Sequence, residues 1–178
     1  MEAIQRILII GGPGSGKSSL IRRLEASGHK VHHEISRSVI LSAREKGIEQ
    51  LFLTDPMAFS DQLLAGRIVQ YNQATHGVNF YDRGIPDIPA YHLFTGDPIP
   101  ESYIQASKEH PYDRVFLLPP WETIYTGDNE RYESYEQAVQ IGNILLSFYE
   151  RLGYPTIAVP LTSIEQRICF ILDYINRD

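Results

Sequence analysis

Cysteine is nearly absent from the 178-residue chain, where Cys169 stands alone. A single thiol excludes an intrachain disulfide framework and a cysteine-built zinc site. Its neighbours Ile168, Phe170 and Ile171 predict an inert position in the core side of a helix. No run of about 18 apolar residues occurs, so no membrane span is expected. An apolar segment begins within a few residues of Met1, from which we expect no signal peptide and a cytoplasmic location. Basic charge is scarce too. Sixteen Lys and Arg stand against 22 Asp and Glu, for a net charge of −6. That balance is the reverse of a general nucleic-acid binder's footprint, and no nucleic-acid partner is expected. Repeats, linkers and low-complexity tracts are missing as well, and the length suits one domain over 1–178.

What is present is a glycine-rich stretch, Gly11-Gly12-Pro13-Gly14-Ser15-Gly16-Lys17-Ser18, with the G-x-x-x-x-G-K-S spacing of a P-loop. The apolar run Ile7-Leu8-Ile9-Ile10 precedes it and a helical pattern from Ser19 follows, the context that the motif requires. Glycines free the backbone to turn its N–H groups inward as a nest for phosphate oxygens. The helix start adds unsatisfied N–H groups and the positive end of a dipole. Gly12, Pro13, Gly14, Ser15, Gly16, Lys17, Ser18 and Ser19 are the expected nucleotide-binding set. Within it, Lys17 reaches the β- and γ-phosphates and Ser18 ligates Mg²⁺.

Five apolar segments alternate with helical ones. Strands are expected at Ile4–Ile10, near Lys30–His33, at 78–81, at 113–118 and at Thr156–Val159. Helices are expected at about 17–27, from Ile35 to about 46, from Asp55-Pro56 to about 74, around 87–93, at 101–109, from Ser134 to about 152, and after Thr162. Ser134 with Gln137, and Thr162 with Glu165, read as capping boxes. This alternation predicts an α/β fold, a parallel sheet covered on both faces, with the site at the carboxyl ends of its strands.

That rule selects further candidates. Asp82 ends the third strand, where it can hold Mg²⁺ in the Walker B manner or simply start a turn. Arg83 can clamp a transferring phosphoryl group or form a structural salt bridge. Glu34, after the second strand, can accept a proton from a substrate hydroxyl or merely favour a first helical turn. Arg37 lies one turn on and is a candidate for a substrate anion. His29, His32 and His33 lack the ligand spacing of a metal site. The polar stretch at about 119–134 has the length of a functional loop and the position of a lid, with Arg131 as its charge-stabilising residue.

With these residues placed, the chain resembles P-loop kinase-like ATPases related to the nicotinamide riboside kinase domain, an AAA-labelled family of nucleoside-kinase type. Beyond the P-loop, the resemblance rests on Phe80-Tyr81-Asp82-Arg83-Gly84, Val115-Phe116-Leu117-Leu118-Pro119-Pro120-Trp121 and Asn129-Glu130-Arg131-Tyr132-Glu133. Leu152-Gly153-Tyr154 and Val159-Pro160 extend it to nearly the whole chain. The resemblance implies a three-layer fold with strand order 2-3-1-4-5. It also implies an acid–arginine pair at Asp82-Arg83, Arg131 as lid arginine and Glu34 as base. The lid departs from many nucleoside and nucleotide kinases in carrying one arginine rather than several.

The expected activity is phosphoryl transfer from Mg·ATP to a hydroxyl of a small metabolite, with nucleoside-like compounds among the candidates. GTP remains an alternative donor, although no N-K-x-D pattern supports guanine selection. The catalytic set is Lys17, Glu34, Asp82, Arg83 and Arg131; Glu34, Arg37 and Arg83 face the acceptor; Ser18 and Asp82 hold the metal. The alternative is a slowly hydrolysing regulatory nucleotide module read by a partner or an anionic lipid.

Overall fold

A computed structural model describes residues 3–125 and 133–177. Its centre is β1 (Ile4–Ile10), whose last four residues are buried on both sides of the strand. Alternation assigns them to two cores. Ile7 and Ile9 pack with Leu20, Ile21 and Leu24 of α1 (Lys17–Ala26) and with Ile168 and Ile171 of α8 (Ile164–Ile175). Leu8 and Ile10 pack with Ile141, Leu145, Phe148 and Tyr149 of α7 (Tyr135–Arg151) and Ala90 of α5 (Asp87–Thr95). Full burial of such a side chain stabilises by about 1.5–3 kcal/mol. An unbroken Ile-Leu run therefore pins the strand in the middle layer.

The sheet is parallel throughout, in the order β2 (Lys30–His32), β3 (Gly77–Asp82), β1, β4 (Arg114–Leu117), β5 (Thr156–Ala158). This is the 2-3-1-4-5 arrangement that the family resemblance implies. The chain leaving β1 goes by α1 to β2 on one side, while that leaving the neighbouring β4 goes by α7 to β5 on the other, so the two connections diverge. Such a divergence opens a crevice at the carboxyl edge, where ligands of α/β sheets bind.

The remaining helices are α2 (Ser36–Glu45), α3 (Leu51–Thr54), α4 (Pro56–Asn72) and α6 (Glu101–Glu109). Asp55 caps α4 by accepting from the Ala58 amide, with Pro56 in the first turn. Ser134 and Gln137 make the reciprocal capping box expected for α7.

The structure corrects the sequence reading at several points. Cys169 is exposed, since the apolar face of α8 runs through Ile168 and Ile171 and leaves position 169 on the solvent side. The cap of α8 is Ser163, which accepts from the Gln166 amide, whereas Thr162 bonds the Gln166 side chain. A short α3 and a 3₁₀ turn at Glu122–Ile124 fill stretches too short to show a period. Among the described residues, no helix is long and apolar enough to cross a membrane.

Candidate active site

The loop after β1 wraps back on itself at the crevice. Gly16 takes a left-handed conformation, φ 91°, immediately before α1. A side chain there would be strained, which is the use of glycine at this position. Gly12 serves a different need. A Cβ on it would lie 2.2 Å from the Ala138 carbonyl oxygen of α7, so only glycine lets the loop seat against that helix. Pro13 carries no N–H to offer a ligand.

The start of α1 carries no side-chain cap and no acidic residue in its first turn. Its first N–H groups thus remain open at the positive end of the helix dipole, a ready anion site. Side-chain caps occur on α4, α7 and α8, while α2, α3, α5 and α6 also lack one, so what sets α1 apart is the glycine-rich loop that precedes it. Ser18 and Ser19 are exposed on this open turn.

Lys17 is buried, and its Nζ donates to the carbonyls of Gly11 and Gly12, both at 2.8 Å, and to Ser15 Oγ at 3.3 Å. These bonds hold the ammonium over the cradle. Burial, reinforced by the charge of Arg83, lowers its pKa to about 7, against the opposing pull of Asp82, Asp87 and Glu34. The amine is poised to gain charge when an anion arrives.

Asp82 closes β3 and is 4% exposed, with Oδ1 buried and unbonded. Burial raises its pKa, only partly offset by Lys17 and Arg83. An unpartnered buried carboxylate oxygen beside a phosphate cradle suits a hard cation, and Mg²⁺ takes one or two carboxylates plus substrate phosphates. The oxygen donors Asp82 and Ser18 therefore fit the metal. Among the described residues no cluster of three metal-ligating side chains occurs.

Glu34 and Arg83 meet across the ends of β2 and β3. Arg83 Nε lies 2.5 Å from Glu34 Oε2, and Arg67 Nη2 of α4 lies 3.4 Å from Oε1. Oε1 also accepts from the Ile35 and Ser36 amides at 2.9 and 3.0 Å. Burial opposes ionisation of Glu34, but the two guanidinium groups and two amides outweigh it and hold the carboxyl below its usual range.

Arg83 adopts φ 70°, the left-handed conformation, rare for a side chain of this size. Its setting explains how that is held. Buried Arg67 donates to the Gly84 carbonyl at 2.6 Å. Asp87 Oδ2 accepts from the Gly84 amide at 3.0 Å and from the Tyr149 hydroxyl at 2.6 Å. Asp87 Oδ1 sits 3.6 Å from Arg83 Nη1. Arg83 thus forms the structural salt bridges that were one of its two readings, at the sheet edge that also carries the glycine-rich loop.

Arg67, Asp87 and Tyr149 were not singled out from the sequence. Their clues were an arginine amid the apolar stretch Leu63–Val69 and an aspartate four residues after Arg83. Arg37 is exposed in the first turn of α2. Arg131 lies outside the described residues. The 3₁₀ turn after Trp121 leads to Tyr125, whose hydroxyl donates to the Glu133 carbonyl and joins the two described ends of the expected lid.

Sheet order and the glycine-rich loop before α1 define a P-loop fold, the fold that nucleoside and nucleotide kinases share. A family model described as "AAA domain" matches residues 6–167, and the chain belongs to that family. The resemblance drawn from the sequence is thereby borne out. Among solved structures, deoxyadenosine kinase from M. mycoides, with dCMP and dCDP bound, has a TM-score of 0.70 at 17% identity, covering 97% of this chain and 99% of its own. Thymidylate kinase from Candida albicans has a TM-score of 0.68 at 20% identity, covering 98% and 92%. NadR in complex with NR has a TM-score of 0.68 at 18% identity, covering 98% of this chain but 51% of NadR. These likenesses establish the shared fold. No curated protein matches in sequence.

Proposed function

We propose that this chain transfers the γ-phosphoryl group of Mg·ATP to a hydroxyl of a small metabolite, nucleoside-like in character. The observation that carries the reading is the meeting of the P-loop with Glu34, Asp82 and Arg83 at one sheet edge, a carboxylate–arginine pair beside a phosphate cradle. Kinship of fold with deoxyadenosine kinase, thymidylate kinase and NadR, itself solved with NR, adds support.

In this reading the loop amides and the open turn of α1 bind the donor phosphates, and Lys17 places its ammonium on them. Ser18 and Asp82 would hold Mg²⁺, which when bound would neutralise charge on the phosphate oxygens. Glu34 accepts a hydrogen bond from the acceptor hydroxyl and takes its proton as the new O–P bond forms and the bond to the ADP oxygen breaks. Its depressed pKa suits late proton transfer, since phosphoryl transfer is largely dissociative. Arg83 fixes the orientation of Glu34 and balances charge. Such a transfer needs water excluded, since water otherwise competes as acceptor; Arg131, the expected lid arginine, lies outside the described residues.

The acceptor side supports an uncharged hydroxyl substrate. Arg67 and Arg83 are already matched by Glu34 and Asp87, which leaves hydrogen-bonding capacity rather than surplus positive charge.

A panel of nucleosides and other hydroxyl metabolites, assayed for ADP release from Mg·ATP and Mg·GTP, tests the proposal. ADP formation that depends on one acceptor class is expected. Turnover indifferent to every acceptor, yet abolished by Asp82→Asn, would instead support the regulatory nucleotide module. Engagement of Glu34 by two arginines and two amides is the observation that favours that second reading, since it leaves little basicity to spare.

A further inference from the structure

Arg167 of α8 is a charged residue outside the site described above, yet it is 2% exposed and borders the P-loop from outside. Its Nη1 donates to the Ser15 carbonyl at 3.2 Å. The guanidinium carbon stands 4.8 Å from the centre of the Trp121 ring. A Cβ placed on Gly16 would meet Nη1 at 3.1 Å and Ile124 Cδ1 at 3.2 Å. Among the described residues, no carboxylate lies within ion-pair distance of this group, and its Nε is buried with no hydrogen-bond partner.

A buried arginine without a counterion is costly, so its retention asks for a reason. The peptide plane supplies one. In a trans peptide the C=O and the following N–H point in opposite directions. Drawing the Ser15 carbonyl outward to Arg167 therefore turns the Gly16 N–H away from α8 and toward the inside of the loop. The indole of Trp121 and the snug side of Gly16 hold the guanidinium, whose charge meets no carboxylate among the described residues and sits one peptide away from the loop interior.

We infer that Arg167 is a positioning residue for the donor phosphates: it holds the Ser15–Gly16 peptide in its anion-binding orientation, with Trp121 as its backing plate. The inference rests on the reading of the P-loop as the donor site. It also makes Trp121, the single tryptophan of the chain, a spectroscopic reporter of that site, placed where the chain leaves β4 for the lid.

The test compares wild type, Arg167→Met, Arg167→Lys and Trp121→Ala for binding of Mg·ADP and of inorganic tripolyphosphate by calorimetry, with melting curves in parallel. Loss of a charge-assisted hydrogen bond predicts binding weaker by about tenfold or more in Arg167→Met, alike for both ligands. Arg167→Lys should regain part of the affinity, because it keeps the charge but not the planar fork. In wild type, Mg·ADP should change Trp121 emission; in Arg167→Met at saturating Mg·ADP that change should be lost. A weakening confined to Mg·ADP would overturn the inference in favour of contact with the nucleobase. A lower melting temperature with unchanged affinities would overturn it in favour of a packing role. A wild-type protein that binds neither ligand would overturn the donor-site reading itself.

Discussion

Arg83 Nε and Glu34 Oε2, 2.5 Å apart, join the ends of the two strands on one side of the phosphate loop. The pair is largely shielded, with side chains 15% and 20% exposed. Arg67 approaches the same carboxylate from α4 and Asp87 approaches the same guanidinium from α5. Four elements therefore meet through one ion pair, and the left-handed turn at Arg83 is secured by the same groups.

Glu34→Gln keeps the shape of that junction while removing its charge. We expect phosphoryl transfer to fall by about 10²–10⁴-fold, the usual contribution of a positioned acid–base group, with Mg·ADP affinity retained. Steady-state kinetics with an identified acceptor checks the first part and calorimetry the second. Full activity in a folded variant would remove Glu34 from the base role.

The same carboxylate should leave a mark on acid stability. Its folded pKa lies below the usual value of 4.5. A depressed carboxylate contributes stability in full above its unfolded pKa and loses it as pH falls through the folded pKa. The melting temperature of wild type should thus drop more steeply below about pH 4.5 than that of Glu34→Gln. Thermal scans between pH 3 and 6 measure the difference.

Much of this architecture was legible in the chain, and the reasons are local. The Ile7–Ile10 run, the glycine spacing and the Ser134–Gln137 box each encode their geometry within a few residues. The carboxyl-edge rule then brought Glu34, Asp82 and Arg83 to one place without any long-range information. What stayed hidden is what only tertiary contact creates. Arg67 and Arg167 sit in helices whose periodicity says nothing about polar partners, and Asp87 looks like an ordinary first-turn acid. Gly12 was legible as a phosphate-loop glycine, but its need for space beneath α7 was not.

Lys17 supplies a pH prediction of the same sign in a higher window. Its pKa is lowered to about 7 from 10.5, so between those values the folded chain binds fewer protons than the unfolded one. Stability of the free protein should therefore gain from this group as pH rises through that window. Phosphate binding should raise the pKa again. Mg·ADP binding at pH 8 is expected to take up protons and to weaken as pH rises further, by up to about tenfold per unit. Calorimetry in buffers of differing ionisation enthalpy reads the uptake; zero uptake at pH 8 would contradict the link between Lys17 and the ligand.

Asp82 bears on the metal. Asp82→Asn removes a buried negative charge that burial disfavours and whose Oδ1 has no hydrogen-bond partner, so the fold should tolerate it, and its melting temperature should match or exceed that of wild type. Nucleotide affinity without Mg²⁺ should be unchanged or higher, since a negative charge near the phosphates is gone. The gain in affinity on adding Mg²⁺ should shrink and turnover should be lost. Titrations of ADP with and without Mg²⁺ separate these effects; an undiminished Mg²⁺ dependence would exclude Asp82 as a metal-holding residue.

Gly12 tests the seat of the loop rather than its chemistry. A methyl group there would come within 2.2 Å of the Ala138 carbonyl oxygen, which belongs to helix backbone and cannot swing aside. Either the loop or the start of α7 must move. Overpacking of this kind costs about 1–3 kcal/mol. The loop is the softer of the two, because α7 is tied by its capping box and by Ile141 and Leu145 in the core. We therefore expect Gly12→Ala to lower the melting temperature by several degrees (roughly 2–8 °C for domains of this size range). It should also weaken Mg·ADP binding more than its loss of stability alone would explain. Ala138→Gly leaves the obstructing oxygen in place but loosens the helix start, so the double variant should recover part of the affinity. Additive losses in the double variant would show that the two positions do not share the strain.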